Sequence, residues 1–390
     1  MTTYDGFVDI VFNQPRKTGS EHAYVRSVLE TGNLVGGGAV SRWCSNWLNR
    51  ELGSLDSVIT TSATDALEIA ARLLELEPGD EIIVPSYTFV SSANAFVAFG
   101  AVPVFVDIRS DNLNIDESKI EKAITNRTKA IVVVHYGGNP CEMDAIMAIA
   151  TRHGLKVIED AAQAILSTYK GKYLGTIGHL GCLSFHGTKN IVSGEGGALL
   201  INDSALIDRA HVISEKGTNR KKFIDGKIDK YSWVDYGSSH IASEITAAVL
   251  KAQLEAAREI TNTRKSNHEA YLSGFTKNQE LLNSAGVRFL ELKSSNGHMF
   301  PLIFATSGDR DVFIERMARA EIQVVTHYVP LHSSKFGVAI GRTDSEMSIT
   351  DHVAAGLVRL PMWSEEGLPV NDILSAALES IRFIGLQKAK

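Results

Sequence analysis

Lys189 stands in Leu183-Ser184-Phe185-His186-Gly187-Thr188-Lys189-Asn190, where a short apolar stretch ends in a polar turn. A lysine held at the rim of a sheet suits Schiff-base chemistry, because a positioned, deprotonated amine attacks an aldehyde. A lone lysine in a loop is ordinarily just a solvated side chain. Lys189 has company. Asp160, in Glu159-Asp160-Ala161-Ala162-Gln163, lies 29 residues upstream. An acid there can simply cap the next helix. It can also keep a pyridine nitrogen protonated, so that the ring draws electrons from an attached carbon. Ser62-Ala63-Thr64-Asp65 opens a helical stretch. Such residues are ordinary N-caps, and the same backbone N–H groups favour phosphate. Ser86-Tyr87-Thr88-Phe89 adds an aromatic. Phosphate-type cap, aromatic, acid and lysine in that order are the parts that a pyridoxal phosphate (PLP) site requires.

The elements that must carry these residues follow from hydrophobic period. Strand-like Val58–Thr61 leads into a helix of strong formers, Ala66–Leu76. Further strands are expected at Ile82–Val84, Val102–Val106, Ala130–Val134 and Val157-Ile158, with helices between them such as Glu142–His153. Repeated strand–helix alternation predicts a doubly wound, mainly parallel α/β sheet. Ligands bind such sheets at the carboxyl ends of the strands, and the candidate residues fall there. Gly194-Glu195-Gly196-Gly197 then lets the chain turn into a strand at Ala198–Ile201.

Before this core, Glu21–Leu29 has helical spacing, Gly32–Gly38 reads as a flexible turn, and Val40–Leu52 is amphipathic. After it, Lys216-Gly217-Thr218-Asn219-Arg220-Lys221-Lys222 is a basic break, either a solvated face or a shaped loop that meets a diphosphate. One long helix is expected from Glu244 to Phe275. Strands at Met299–Phe304 and Ile322–Val325 flank a helix at Val312–Ala320, and a helical tail runs from Asp372. The expected division is a large domain over 1–264 and a smaller α+β domain over 265–390.

At 390 residues the chain exceeds one compact core. Its 44% hydrophobic and 22% charged content is that of a soluble globular protein. A net charge of -6 argues against general nucleic-acid binding, which needs a basic excess. Cys44, Cys141 and Cys182 are too few and too far apart for a disulfide framework or a metal motif, which suits the reduced cytoplasm. No metal site, signal peptide or membrane-length apolar run is expected.

Seven motifs in order carry a resemblance: Thr64-Asp65-Ala66-Leu67, Pro85–Phe89, His135-Tyr136-Gly137, Met143-Asp144, Glu159–Gln163, Ser184–Asn190 and Gly194–Gly197. Together they resemble the DegT-type sugar aminotransferases, fold-type I PLP enzymes acting on nucleotide-linked keto sugars. Val329-Pro330-Leu331-His332 and Leu360-Pro361-Met362 match the family's C-terminal part, so the likeness spans about Gly32 to Leu374. A narrower likeness lies in Lys216–Arg220, Asp229-Lys230-Tyr231-Ser232-Trp233, Gly237-Ser238-Ser239 and His327–His332. It is to the dTDP-4-amino-4,6-dideoxygalactose transaminases of common antigen synthesis. These use L-glutamate to aminate dTDP-4-keto-6-deoxy-D-glucose.

The resemblance implies roles. Lys189 carries PLP and moves the proton, and Asp160 pairs with the pyridinium nitrogen. Phe89 stacks on the ring and Gln163 lies near its phenolic oxygen. Ala63, Thr64 and Ser184 hold the phosphate, with Ser239 reaching the phosphate of a partner chain in a homodimer. His186, Lys216, Asn219, Arg220 and His332 are expected at the sugar nucleotide. The wider family carries glycine at the place of Ala63 and asparagine at that of Ser239, so Ala63 must avoid positive φ and Ser239 has shorter reach. The alternatives left open are a gluco product, amination at C3, a non-catalytic sugar-nucleotide-binding regulator and a plain nucleotide binder. No GxGxxG opens the first strand–helix unit to favour the last of these.

Overall fold

A computed structural model describes residues 9–388, apart from 293 and 366. Its centre is an eight-stranded sheet in the order Asp56–Thr60, Gly197–Ile201, Leu180–Ser184, Lys156–Asp160, Thr128–Val134, Glu81–Pro85, Val102–Val106, Arg342–Thr343. Gly197–Ile201 alone among these runs against its neighbours. Most of the strands are continuous apolar runs buried on both faces, as helix-covered parallel strands are. One core layer holds Leu48, Ile131, Val157 and Leu250; the other, across the sheet, holds Leu67, Ile69, Val132 and Leu199. Chain direction therefore puts the carboxyl ends of five parallel strands, Pro85, Val106, Val134, Asp160 and Ser184, on one edge.

The helix Ala63–Leu73 begins on the same edge. Its cap is Ser62, whose hydroxyl accepts from the Asp65 N–H (3.0 Å). Gly197 lies against that helix start, and a Cβ there would come within 2.3 Å of the Ser62 carbonyl carbon. Only glycine lets the strand pass so close. The helix Ala39–Leu52 has no cap of its own. Glu244, from the helix Glu244–Glu255, supplies one by accepting from Gly38 N (3.1 Å), Val40 N (2.8 Å) and Ser41 N (3.0 Å). The glycine turn read as flexible is thus pinned from a distance.

A second, antiparallel sheet of three strands, Val287–Phe289, Phe300–Phe304 and Leu357–Leu360, packs with the helices Ala257–Lys277, Ser307–Arg319 and Val370–Lys388. Tyr271, Phe275, Phe300 and Phe313 fill its core.

Several expectations are corrected here. The long helix from Glu244 to Phe275 is two helices, broken at Ala256 (φ -94°, ψ 3°). Ile322–Val325 forms only isolated bridges, Ile322 to Ile10 and Val325 to Arg359. The helix expected at Val312 starts at Ser307, because Thr306 caps it by accepting from Asp309 N. The division at 264/265 falls inside Ala257–Lys277. Moreover, Arg342–Thr343 rejoins the large sheet beside Val102–Val106, and Leu331 and Met347 pack into the large core. The smaller unit is therefore not one continuous segment of the chain.

Among the described residues no helix is long and apolar enough to cross a membrane.

Candidate active site

The sheet edge and the small unit enclose a cavity of about 1230 Å³. Ala63, Thr64, Phe89, Asp160, Gln163, Ser184, His186 and Lys189 all line it. These residues come from four separate stretches of sequence, and the parallel sheet brings them to one place.

The loop carrying Lys189 is held by its own backbone. Phe185 N donates to Gly196 O (2.8 Å), Gly187 N to Gly194 O (2.8 Å), and Lys189 N to His186 O (2.9 Å). Gly194 turns it at φ +84°, a conformation that side chains disfavour. The small unit adds a clamp: Asn190 Nδ2 donates to Asn296 O (3.1 Å), and His298 Nδ1 donates to Asn190 Oδ1 (2.8 Å). Burial pulls the Lys189 amine down to about 8; the Asp160 carboxylate opposes this and the Arg359 guanidinium adds to it. An ordinary lysine is about 0.3% neutral at pH 8, whereas a group titrating there is about half neutral. The expected result is that trace acetylation of Lys189 in the PLP-free protein, read by peptide mass spectrometry, rises with pH and reaches half its maximum near pH 8. A midpoint near that of surface lysines would contradict the burial.

Asp160 is the last residue of Lys156–Asp160 and is 6% exposed. Ser92 Oγ donates to its Oδ2 (2.6 Å) and the Ala162 N–H to its Oδ1 (3.1 Å). Both bonds fix the carboxylate in place at the cavity wall. Its neighbour Glu159 points into the protein. It accepts from Gly175 N (2.7 Å), Ile177 N (2.7 Å), Gly178 N (2.6 Å) and His135 Nε2 (2.9 Å). His135 Nδ1 accepts from Cys141 N, which leaves the ring proton on Nε2. Glu159→Ala strands four donors in a site with no water access, so we expect a loss of about 3–5 kcal/mol in urea unfolding. A loss under about 1 kcal/mol would mean that the neighbouring backbone re-pairs.

Gln163 is fixed at both ends: Oε1 accepts from Gly137 N (2.7 Å) and Nε2 donates to Tyr328 OH (2.6 Å). One amide N–H remains for a ligand. Phe89 is 57% exposed, with its ring centroid 6.4 Å from that of Tyr328. Ala63 is the first helical residue, and its φ is not positive. The N–H groups of Ala63 and Thr64 have no acceptor within the helix. Beside them are the hydroxyls of Thr64 and Ser91, 2.8 Å apart, and Ser184. His186 Nδ1 accepts from Thr188 N (3.2 Å) and lies 2.8 Å from Thr188 Oγ1.

The other expected contacts lie outside this lining. His332 has both ring nitrogens engaged, Nδ1 with Ser86 Oγ (2.7 Å) and Nε2 with Asp351 (3.4 Å). It supports the Pro85 strand end. Arg220 pairs with Glu215 (2.5 Å). Lys216 is exposed at φ +64°, with its N–H on Ser238 O, and Asn219 borders a separate hollow of about 170 Å³. Ser239 is exposed and bridged to Glu215 through the backbone. Distance along the chain hid Arg264, His298, His327, Tyr328 and Arg359, which also line the cavity. For Arg359 a signal existed, a cation inside the apolar strand Leu357–Leu360.

The donor set fits a phosphorylated pyridine aldehyde. It offers a helix N-terminus with hydroxyls for the phosphate, a fixed carboxylate for the ring nitrogen, an exposed aromatic face and an amine titrating near 8.

Comparison with known proteins agrees with this geometry. The chain is 31% identical over 328 residues to GDP-perosamine synthase of Escherichia coli O157:H7, covering 82% of this chain and 85% of that protein. Spr1654 of Streptococcus pneumoniae, described as a sugar aminotransferase and solved in its PMP form, superposes with a TM-score of 0.88 at 25% identity, covering 98% of this chain and all of that one. PseC of Helicobacter pylori, an aminotransferase of pseudoaminic acid biosynthesis, gives 0.87 at 26% identity, with 96% and 99% covered. The fold is that of the fold-type I PLP enzymes. The cofactor is PLP, and the protein is an enzyme rather than a non-catalytic regulator. The family model for DegT/DnrJ/EryC1/StrS aminotransferases matches residues 15–369, and the chain belongs to that family.

Proposed function

We propose that the protein transfers an amino group from L-glutamate to C4 of dTDP-4-keto-6-deoxy-D-glucose, giving dTDP-4-amino-4,6-dideoxy-D-galactose. The observation that carries amino transfer is the meeting of Lys189, Asp160 and the Ala63–Thr64 helix start in one cavity. The dTDP sugar and the C4 position rest on the narrower sequence likeness in Lys216–Arg220, Asp229–Trp233 and Gly237–Ser239.

Bound PLP supplies the electron sink that makes the donor's α-hydrogen acidic. The chain supplies the rest. Ala63 and Thr64 N–H groups, with the Thr64 and Ser184 hydroxyls, bind the phosphate. Asp160 holds the proton on the ring nitrogen, and Phe89 and Gln163 orient the ring. Lys189 Nζ takes the donor's α-proton and returns a proton to the sugar's C4. We place the enzyme in the cytoplasm, where its three buried free thiols stay reduced, and as a homodimer in which Ser239 serves the partner's phosphate site.

The test is to incubate the enzyme with PLP, L-glutamate and the dTDP keto sugar, then take the NMR spectrum of the product. An amine at C4 with a small H3–H4 coupling is expected. A large coupling means the gluco product, and an amine at C3 moves the reacting carbon. The likeness to GDP-perosamine synthase favours one second reading, a GDP-linked keto sugar. Turnover with that substrate alone overturns the dTDP assignment.

A further inference from the structure

Residues 10–17 run as a strap across the small unit. Ile10 N donates to Glu321 O (3.1 Å) and Gln323 N to Ile10 O (2.9 Å). Phe12 N donates to Gln323 Oε1 (2.9 Å), and Met362 N to Phe12 O (3.1 Å). Arg16 Nη1 donates to Ser364 O (3.1 Å). The strap is therefore fixed to the small unit along its length.

Phe12 and Asn13 both line the cavity, and their side chains reach different walls. The Phe12 ring centre lies 4.8 Å from the Arg359 guanidinium, on the small unit. Asn13 Nδ2 donates to Gly187 O (3.3 Å), in the loop that carries Lys189. Among the described residues this is the strap's one hydrogen bond to that loop.

Gly187 stands two residues before Lys189, and Asn190 stands one after it. Asn190 is itself clamped by Asn296 and His298. Two long-range ties thus bracket Lys189, and both lead back to the small unit. The loop's internal bonds, such as Gly187 N to Gly194 O, hold its shape. They do not fix where its tip stands over the cavity, because a hairpin held at its base can still swing. A misplacement of about 1 Å in a reacting group costs on the order of 10²-fold in rate, so the outer ties bear directly on the amine.

We propose that Asn13 is a positioning residue for Lys189: its amide holds Gly187 so that the strap and the small unit set where the amine stands. This rests on the aminotransferase reading above, in which Lys189 moves the proton.

The experiment compares the wild type with Asn13→Ala, Asn13→Asp and Asn13→His. Aspartate keeps the shape and has no N–H to give. Histidine places Nδ1 as many bonds from the backbone as the amide nitrogen, and its N–H can donate. Hydrogen exchange is measured in the PLP-free protein over residues 185–197, with the strand Lys156–Asp160 as control. In the PLP-loaded enzyme without sugar, absorbance follows conversion by L-glutamate and gives a saturated rate and a half-saturating concentration. Exchange over 185–197 is expected to be about tenfold faster in Asn13→Ala and Asn13→Asp, with the control strand unchanged. The saturated rate falls about tenfold in the same two variants and is largely restored in Asn13→His, while the half-saturating concentration stays within about twofold. Tenfold is the scale of one hydrogen bond.

Wild-type exchange in Asn13→Ala overturns the tie. A raised half-saturating concentration with the saturated rate intact overturns positioning and makes Asn13 a donor contact. Equal saturated rates in Asn13→Asp and Asn13→His overturn the part given to the amide N–H, and these two variants carry the test if Asn13→Ala does not fold. Failure of the aminotransferase reading looks different. A wild type that no α-amino acid converts overturns that reading, while exchange over 185–197 still decides whether Asn13 holds the loop.

Discussion

Lys189→Ala abolishes amino transfer and leaves the fold intact. The variant loses the lysine amine of the cavity lining, which a rigid loop positions and which burial draws down to about 8, so that a usable fraction is neutral near physiological pH. Proton transfer by a positioned group is worth about 10²–10⁴-fold by itself, and loss of the nucleophile adds to that. We therefore expect turnover to fall by at least about 10⁴-fold. The loop does not depend on the side chain. Its anchors are backbone bonds of Phe185, Gly187 and Lys189, with the Asn190–His298 clamp. Deleting an amine that burial already disfavours removes a desolvation cost rather than a contact. The urea midpoint should stay near that of wild type. Wild-type turnover in the variant, measured by sugar-product NMR, would remove Lys189 from the mechanism. A collapsed urea transition would make its role structural.

Asp160→Asn keeps the shape and removes the charge. The asparagine Oδ1 can still accept from the Ala162 N–H, and its Nδ2 can donate to Ser92 Oγ, whose own proton turns to Thr88 Oγ1, so the strand end should hold its place. What disappears is the fixed anion proposed to pair with the ring nitrogen. Without it the ring loses its proton and much of its power to withdraw electrons. The scale is that of losing a main electrostatic partner, about 3–4 kcal/mol of barrier, or roughly 10²–10³-fold in kcat. We expect that fall with little change in stability. A rate within about threefold of wild type would show that another group protonates the ring.

Much of the large sheet was legible in the chain because its signals are local. Strands such as Val102–Val106 and helices such as Met143–His153 declare themselves by period, and Ser62 by its capping chemistry. Parallel alternation then implies that Phe89, Asp160 and Ser184 share an edge, since each follows a strand of the same direction. The elements misread were those whose ends are set by distant groups. Ala256 breaks a helical run that no proline or glycine marks. Thr306 starts the next small-unit helix earlier than its apolar residues suggest.

By itself, the sequence determined a parallel α/β sheet and the order of cap, aromatic, acid and lysine along its edge, because both follow from short-range periodicity and chain direction. Only the tertiary structure decided what surrounds them. Glu244 pins a glycine turn some two hundred residues away, and Arg342–Thr343 returns to the large sheet. His332 is turned towards Ser86 rather than the cavity, and Arg359 is brought to face Lys189's cavity without an anion of its own. These outcomes depend on burial and on charges meeting across space. No period along a chain encodes which distant groups will share one volume from which water is excluded.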